Sequence, residues 1–227
     1  MAEKAQPTAQ ADGGFAVTPG TTRFEVALAA ARLFRQRGFG VVTMRDIAAE
    51  VGLSKAGLYH HCPSKEGILS DIILLGRKLL LDQLEAARRT EGSPLDRLSA
   101  FILTRVELVI EYNDVFAVAW REEPWPKDVA GIAEAGAARY RQGARELIEA
   151  ARDAGQIRPD VDPHMFMLAI DGMTSWPGFW YREDGARTPQ EIGAQFLEFL
   201  LGSVRVSSLL ATASGRARSV GSARRRP

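Results

Sequence analysis

The stretch Thr43-Met44-Arg45-Asp46-Ile47-Ala48-Ala49-Glu50-Val51-Gly52-Leu53-Ser54-Lys55-Ala56-Gly57-Leu58-Tyr59-His60-His61 decides how the chain reads. Thr43 is a good helix N-cap, and Asp46 falls in the first turn, where its charge complements the helix dipole. The pattern predicts a helix over Met44–Val51, stopped by Gly52. Ser54 caps a second helix over Lys55–His61, which Pro63 terminates. Upstream, Val26, Ala30, Leu33 and Phe34 recur at i, i+4, i+7 and i+8, so a longer helix runs from Arg23 to Arg37 and ends at Gly38. A two-turn helix does not hold its shape alone in water. Ile47, Ala48, Val51, Leu53 and Leu58 supply the apolar face that braces it, and Ala48 and Gly57 are small enough to let helices cross closely. These are the proportions of a helix-turn-helix unit. On the opposite face Ser54, Lys55, Tyr59 and His60 all carry hydrogen-bond donors.

The N-terminal region resembles the TetR family of transcriptional regulators. The resemblance rests on Ala30-Ala31-Arg32-Leu33-Phe34, Gly38-Phe39, Thr43 through Ala48, Val51 through His61, and Pro63-Ser64-Lys65-Glu66-Gly67-Ile68-Leu69. It covers roughly residues 22–70 and matches at many ordered positions, which makes it far more specific than a short motif. The resemblance implies phosphate contacts at Thr43 and Tyr59. Lys65 would add another with the backbone N–H groups of the next helix start. Lys55 and His60 would read bases, with Ser54 and Ala56 at the groove edge and Arg45 near phosphate or base. From the residues alone, Tyr59 could equally be packing at the core edge, and Lys55 and His60 ordinary solvated side chains. Two positions depart from the family pattern. Cys62 replaces a large aromatic, which should loosen packing under the third helix, and Gly67 should weaken the start of the fourth.

Charge is segregated along the chain. The net charge is +1, divided as +3 over residues 1–78, −8 over 79–202 and +6 over 203–227. A basic head on an acidic body suits a polyanion-binding module joined to a body that does not bind the polyanion. One cysteine excludes an internal disulfide, and His60-His61-Cys62 lacks a fourth metal ligand. No Gly-rich phosphate loop, nucleophile elbow or metal-ligand cluster is present, so an enzyme has no residues to rest on. No cofactor is implied. The leader (1–20) has no apolar core and should be disordered. The most apolar run, Ile72 to Leu81, is broken by Arg77 and Lys78 and is too short to cross a bilayer. A cytoplasmic protein with no membrane partner is expected.

The remainder reads as helical throughout, over about 94–112, 114–122, 126–154, 163–180 and 189–208, with short breaks between. The fold class is therefore all-α: a helix-turn-helix domain at 21–66, a helical ligand-binding and dimerisation domain at 67–210, and a disordered basic tail at 211–227. Pro177 and Gly178 should kink the 163–180 helix. Ile192, Phe196, Phe199 and Leu200 form one stripe, and Phe166, Ile170, Met173 and Trp176 another. The family resemblance implies that Phe166, Ile170, Ile192, Phe196, Phe199 and Leu200 pair two copies in a four-helix bundle. Packing within one chain is the alternative. The homodimer would place its two third helices about 34–36 Å apart on double-stranded, palindromic operator DNA.

In this family the middle helices enclose a cavity for a small effector. Phe101, Arg105, Phe116, Trp120, Arg121, Tyr140, Met173 and Trp176 are the candidates to line it, although aromatics at helical spacing are more often plain core. The run Asp171-Gly172-Met173-Thr174-Ser175-Trp176, with Trp180 through Gly185 and Thr188 through Ile192, is loosely similar to regulators that respond to acyl-CoA thioesters. The expected function is a repressor released from its operator by a small hydrophobic ligand or acyl-CoA. The alternative is a dimeric helical adaptor that has lost DNA binding.

Overall fold

The computed structural model describes residues 17–121 and 125–205. Most of the leader, Glu122 to Pro124 and the basic tail lie outside the described residues, as does the end of the helix expected to reach 208. Among the described residues there are ten helices: α1 (Thr22–Arg37), α2 (Met44–Glu50), α3 (Lys55–His61), α4 (Lys65–Arg88), α5 (Pro94–Glu111), α6 (Asn113–Arg121), α7 (Lys127–Asp153), α8 (Pro163–Ser175), α9 (Pro177–Trp180) and α10 (Pro189–Val204). The fold is all-α, with one antiparallel bridge from Ile157 to Arg205 that ties the loop after α7 to the end of α10.

Side-chain caps set most of the boundaries. Thr43 and Asp46, Ser93 and Asp96, and Thr188 and Glu191 each form a reciprocal capping box at the start of α2, α5 and α10. Ser54 Oγ accepts from Gly57 N, and Ser64 Oγ from Gly67 N, starting α3 and α4. Gly67 therefore does not loosen α4: its N–H is capped, and a Cβ there would stand only 3.2 Å from Ser64 Oγ. Gly38 ends α1 at φ 85°, a conformation open to glycine. The helix expected over 163–180 is divided. Pro177 has no N–H to return to α8, so α8 stops at Ser175 and a single turn, α9, follows.

Two apolar cores are stacked along α4. The upper one joins Phe24, Leu33, Phe34, Ile47 and Leu58 of the head to Ile68, Ile72 and Leu75 of α4 and to Val115 and Val118 of α6. The lower joins Leu80 and Leu84 of α4 to Phe101, Tyr140, Leu147, Phe166, Ile170 and Leu200. Packing thus runs continuously across residues 66 and 67, and α4 serves as the shaft between reading head and body. Cys62 is 1% exposed within the upper core, filling the space under α3 with a small apolar group.

Candidate nucleic-acid interface and effector cavity

The second and third helices form the tip of the head. Leu58 is fully buried beneath α3, while Ser54, Lys55, Ala56, Tyr59 and His60 are exposed. Lys55 Nζ stands 5.8 Å from the Tyr59 ring centroid, so the cation and the phenol share one outward face. Arg45 is exposed on α2. Thr43 is exposed too, but its hydroxyl donates to Asp46 Oδ2 at 2.6 Å and accepts from Asp46 N at 3.3 Å, so its proton is committed to the cap. These hydrogen bonds hold the Asp46 carboxyl below its ordinary range.

Lys65 is placed differently from the expectation of an outward phosphate contact. Its Nζ donates to Phe39 O at 2.7 Å and Val42 O at 2.9 Å and lies 4.5 Å from the Phe39 ring centroid. Two of its three N–H bonds therefore close the loop that leads into Thr43. Those carbonyls are more than twenty residues away in sequence, and spacing gave no sign of them.

Head and body are joined by ion pairs. Arg23 grips Asp71 of α4 with two hydrogen bonds at 2.6 and 2.7 Å, and Arg35 Nη1 meets Asp114 Oδ1 of α6 at 2.9 Å. Asp71 is nearly fully buried. Burial pushes its carboxyl up, against the downward pull of Arg23.

Two adjoining chambers lie below. The outer one, about 430 Å³, is walled by Phe34 and Arg35 of α1, Ala117, Val118, Trp120 and Arg121 of α6, and Gly178 and Phe179 of α9. The other, about 250 Å³ and the more open to solvent, is named the inner chamber because it reaches the buried Arg105; it is lined by Arg77 and Leu80, Arg105, Trp120, Ala137, Tyr140 and Arg141, Asp171 and Ser175, and Phe179. Trp120 and Phe179 wall both. Two larger clefts, about 590 and 610 Å³, carry several carboxylates each, including Glu111 and Asp114, and suit an anionic or apolar ligand poorly.

Of the residues expected to line a cavity, the inner chamber brings together Arg105, Trp120 and Tyr140, and the outer one adds Arg121. Phe101 and Phe116 are core residues, each 1% exposed, and Trp176 is 60% exposed on the surface. Met173 is half-buried against the lower core. Arg77, Asp171, Ser175 and Phe179 were missed. For Arg77 there was a signal: it interrupts the most apolar run in the chain, where a charge is costly unless it has a task. Room for it exists because α7 carries Gly136 opposite, where a Cβ would come within 2.5 Å of Arg77 Cγ.

Residues 28–72 match the family described as bacterial regulatory proteins, tetR family, and residues 91–204 match the tetracyclin repressor-like C-terminal domain. The HTH-type transcriptional repressor KstR2 of Rhodococcus jostii (strain RHA1) is 31% identical over 188 residues, which cover 79% of this chain and 89% of that protein. The chain belongs to the TetR family. Among solved structures, the ketosteroid transcriptional regulator KstR2 of Mycobacterium tuberculosis superposes with a TM-score of 0.74 at 25% identity, covering 85% of this chain and all of that one. AibR in complex with isovaleryl coenzyme A and operator DNA superposes with a TM-score of 0.68 at 28% identity, covering 79% of this chain and 97% of that one. This TetR-family protein is a helix-turn-helix, DNA-binding transcriptional repressor. No helix among the described residues is long and apolar enough to cross a membrane.

The stripes expected to form a dimer interface divide on inspection. Phe166, Ile170, Ile192 and Leu200 are buried inside the protomer, between 0 and 7% exposed. Phe196 is half-buried and Phe199 is 57% exposed. The outward apolar surface of α8 to α10 is instead Met165, Leu168, Trp176, Phe179, Trp180 and Phe199, each at least 44% exposed. Both helices are apolar around most of their circumference, so the stripe that periodicity picks out is divided between the inward face and, at Phe199, the outward one.

Proposed function

We propose that this protein is an effector-responsive repressor: a cytoplasmic homodimer that holds a palindromic operator and is released by an acyl-CoA thioester. One observation carries the effector response. The outer chamber is walled by α1 of the reading head itself, through Phe34 and Arg35, together with α6 and α9 of the body. A ligand there touches the head directly. Differential affinity for two head orientations is all that release requires, and about 1–3 kcal/mol of coupling is typical.

On DNA, Lys55 and His60 reach for base edges from α3, with Ser54 and Ala56 at the groove margin. Tyr59 and Arg45 meet the phosphates, and Thr43 joins them when its hydroxyl turns from Asp46 to the DNA. Lys65 serves that contact by fixing the loop before Thr43 and by the helix start on which it sits. The exposed apolar surface of α8 to α10 pairs with its copy. Six large side chains at a centre of this kind, each contributing about half of the roughly 1.5–3 kcal/mol of full burial because each is already partly covered, work against the entropy of association. An acyl-CoA is favoured over other apolar ligands because the outer chamber sets Arg35 and Arg121 beside apolar walls, and because the similar AibR was solved with isovaleryl coenzyme A and operator DNA together.

The test begins by selecting an operator from a random duplex library with purified protein. Binding is then followed by fluorescence anisotropy as isovaleryl-CoA or free CoA is added. Enrichment of a palindrome and release by the thioester but not by CoA are expected. A folded dimer that enriches no sequence at low salt would sink the reading in favour of the adaptor.

A further inference from the structure

We infer that the inner chamber is a carboxylate subsite, in which Arg77 and Arg105 hold an acid group at the far end of the effector's acyl chain. The inference rests on the effector reading above and gives it a chemistry: the activating thioester is that of a dicarboxylic acid.

The chamber is short of negative charge. Arg105 is 3% exposed, yet its Nε has no hydrogen-bond partner, and neither has the buried Nε of Arg77. Most of the partners that Arg105 does have are neutral. Nη1 donates to the Tyr140 hydroxyl and Nη2 to Ser175 Oγ at 3.2 Å. The single facing carboxylate, Asp171, stands 3.5 Å away and is 31% exposed toward water. Arg141 adds a third cation to the lining, and its own partner is Glu134 at 3.0 Å, outside the chamber. Burial, reinforced by Arg105 and Arg141, pushes the Arg77 guanidinium down despite Glu134. The Tyr140 phenol is fully buried and pushed up, so it remains a neutral donor and supplies no charge.

A buried guanidinium with unused donors is costly unless an anion completes it. Its planar fork fits a carboxylate. The remaining lining, Leu80, Ala137, Trp120 and Phe179, is apolar and suits methylenes. The volume, about 250 Å³, lies just below the roughly 300–1,000 Å³ of pockets for drug-sized ligands, which favours a short chain with an acid end over a ring system. Trp120 and Phe179 wall both chambers, so one chain can run from the outer chamber to the arginines.

The experiment compares adipoyl-CoA with hexanoyl-CoA, two thioesters of equal chain length that differ in the terminal carboxylate. Release of the selected operator should need about a tenfold lower concentration of adipoyl-CoA, the change that one charge-assisted hydrogen bond supplies. Arg77→Met and, separately, Arg105→Met should bring the two concentrations together. Because the ratio is taken within each variant, a general change in operator affinity does not affect it. Arg77→Met, at a partly buried position, keeps the test available if Arg105→Met fails to fold. Free adipate and inorganic phosphate, with uncharged hexanamide as the control, are tested by thermal shift on the full chain and separate the possible anions. Adipate should raise the melting temperature of wild type but not of Arg77→Met.

If hexanoyl-CoA releases the operator as well as adipoyl-CoA, the subsite is wrong while the acyl-CoA reading stands. If neither thioester acts but adipate stabilises the protein through Arg77, the subsite stands and the thioester reading fails. Stabilisation by phosphate alone would assign the arginines to a phosphate and overturn the carboxylate.

Discussion

On α3, Lys55, Tyr59 and His60 stand in water around a buried Leu58. In the inner chamber, Arg105 is almost wholly withdrawn from water, with the Tyr140 and Ser175 hydroxyls and the Asp171 carboxylate around it. Both regions gather hydrogen-bond donors, but they do so at different energetic levels. A solvated lysine costs the fold almost nothing, so the head can present its contacts on a two-turn helix provided that helix is braced from below. A buried arginine must be supported by packing on every side, and here α4, α5, α7 and α8 all contribute. The head therefore depends on its apolar underside for function. The body carries buried polar groups that its core would be more stable without.

The sharpest way to break that contrast is to remove the brace. Ile47→Ala empties a fully buried site and should cost about 2–5 kcal/mol, read by urea unfolding, with operator binding lost alongside. Lys55→Ala should leave the unfolding free energy within about 0.5 kcal/mol, since the residue is exposed, while weakening operator binding by about 1–3 kcal/mol in anisotropy titrations. An equal loss of stability in both variants would show that the reading face and its brace are not separable. The smallest effect belongs to the joint between the regions. Asp114→Asn breaks the pair with Arg35, in which both side chains are 37% exposed. Solvent screening restricts its stability cost to about 0.2–1 kcal/mol. The same variant should shift the effector concentration needed for release, because Arg35 also walls the outer chamber. An unchanged release midpoint would remove Arg35 from the coupling.

Much of the head was legible because its instructions are local. Thr43, Asp46, Gly52 and Ser54 act on backbone groups within four residues, so caps and stops were readable without knowing what lay nearby. Long-range contacts were not. Lys65 had the spacing of a phosphate contact, and only the folded loop shows its ammonium donating to Phe39 and Val42. Phe166 and Ile170 had the periodicity of an exposed interface, but on a helix that is apolar nearly all round the period cannot say which side faces inward. The break at Pro177 was foreseen as a kink. That it ends α8 outright follows from the lost N–H, together with the packing of Gly178 against Val109 and Asn113.

By itself, the sequence determined the all-helical class, the helix-turn-helix and the outward donors of α3, since each follows from capping chemistry and a 3.6-residue period. Tertiary structure alone decided that Arg77 and Arg105, 28 positions apart, would meet in one chamber, that α1 would wall the chamber beside it, and which apolar face of α8 and α10 would be left exposed. These outcomes depend on how helices cross. Crossings are set by the combined shapes of side chains far apart in the chain, which local spacing does not encode.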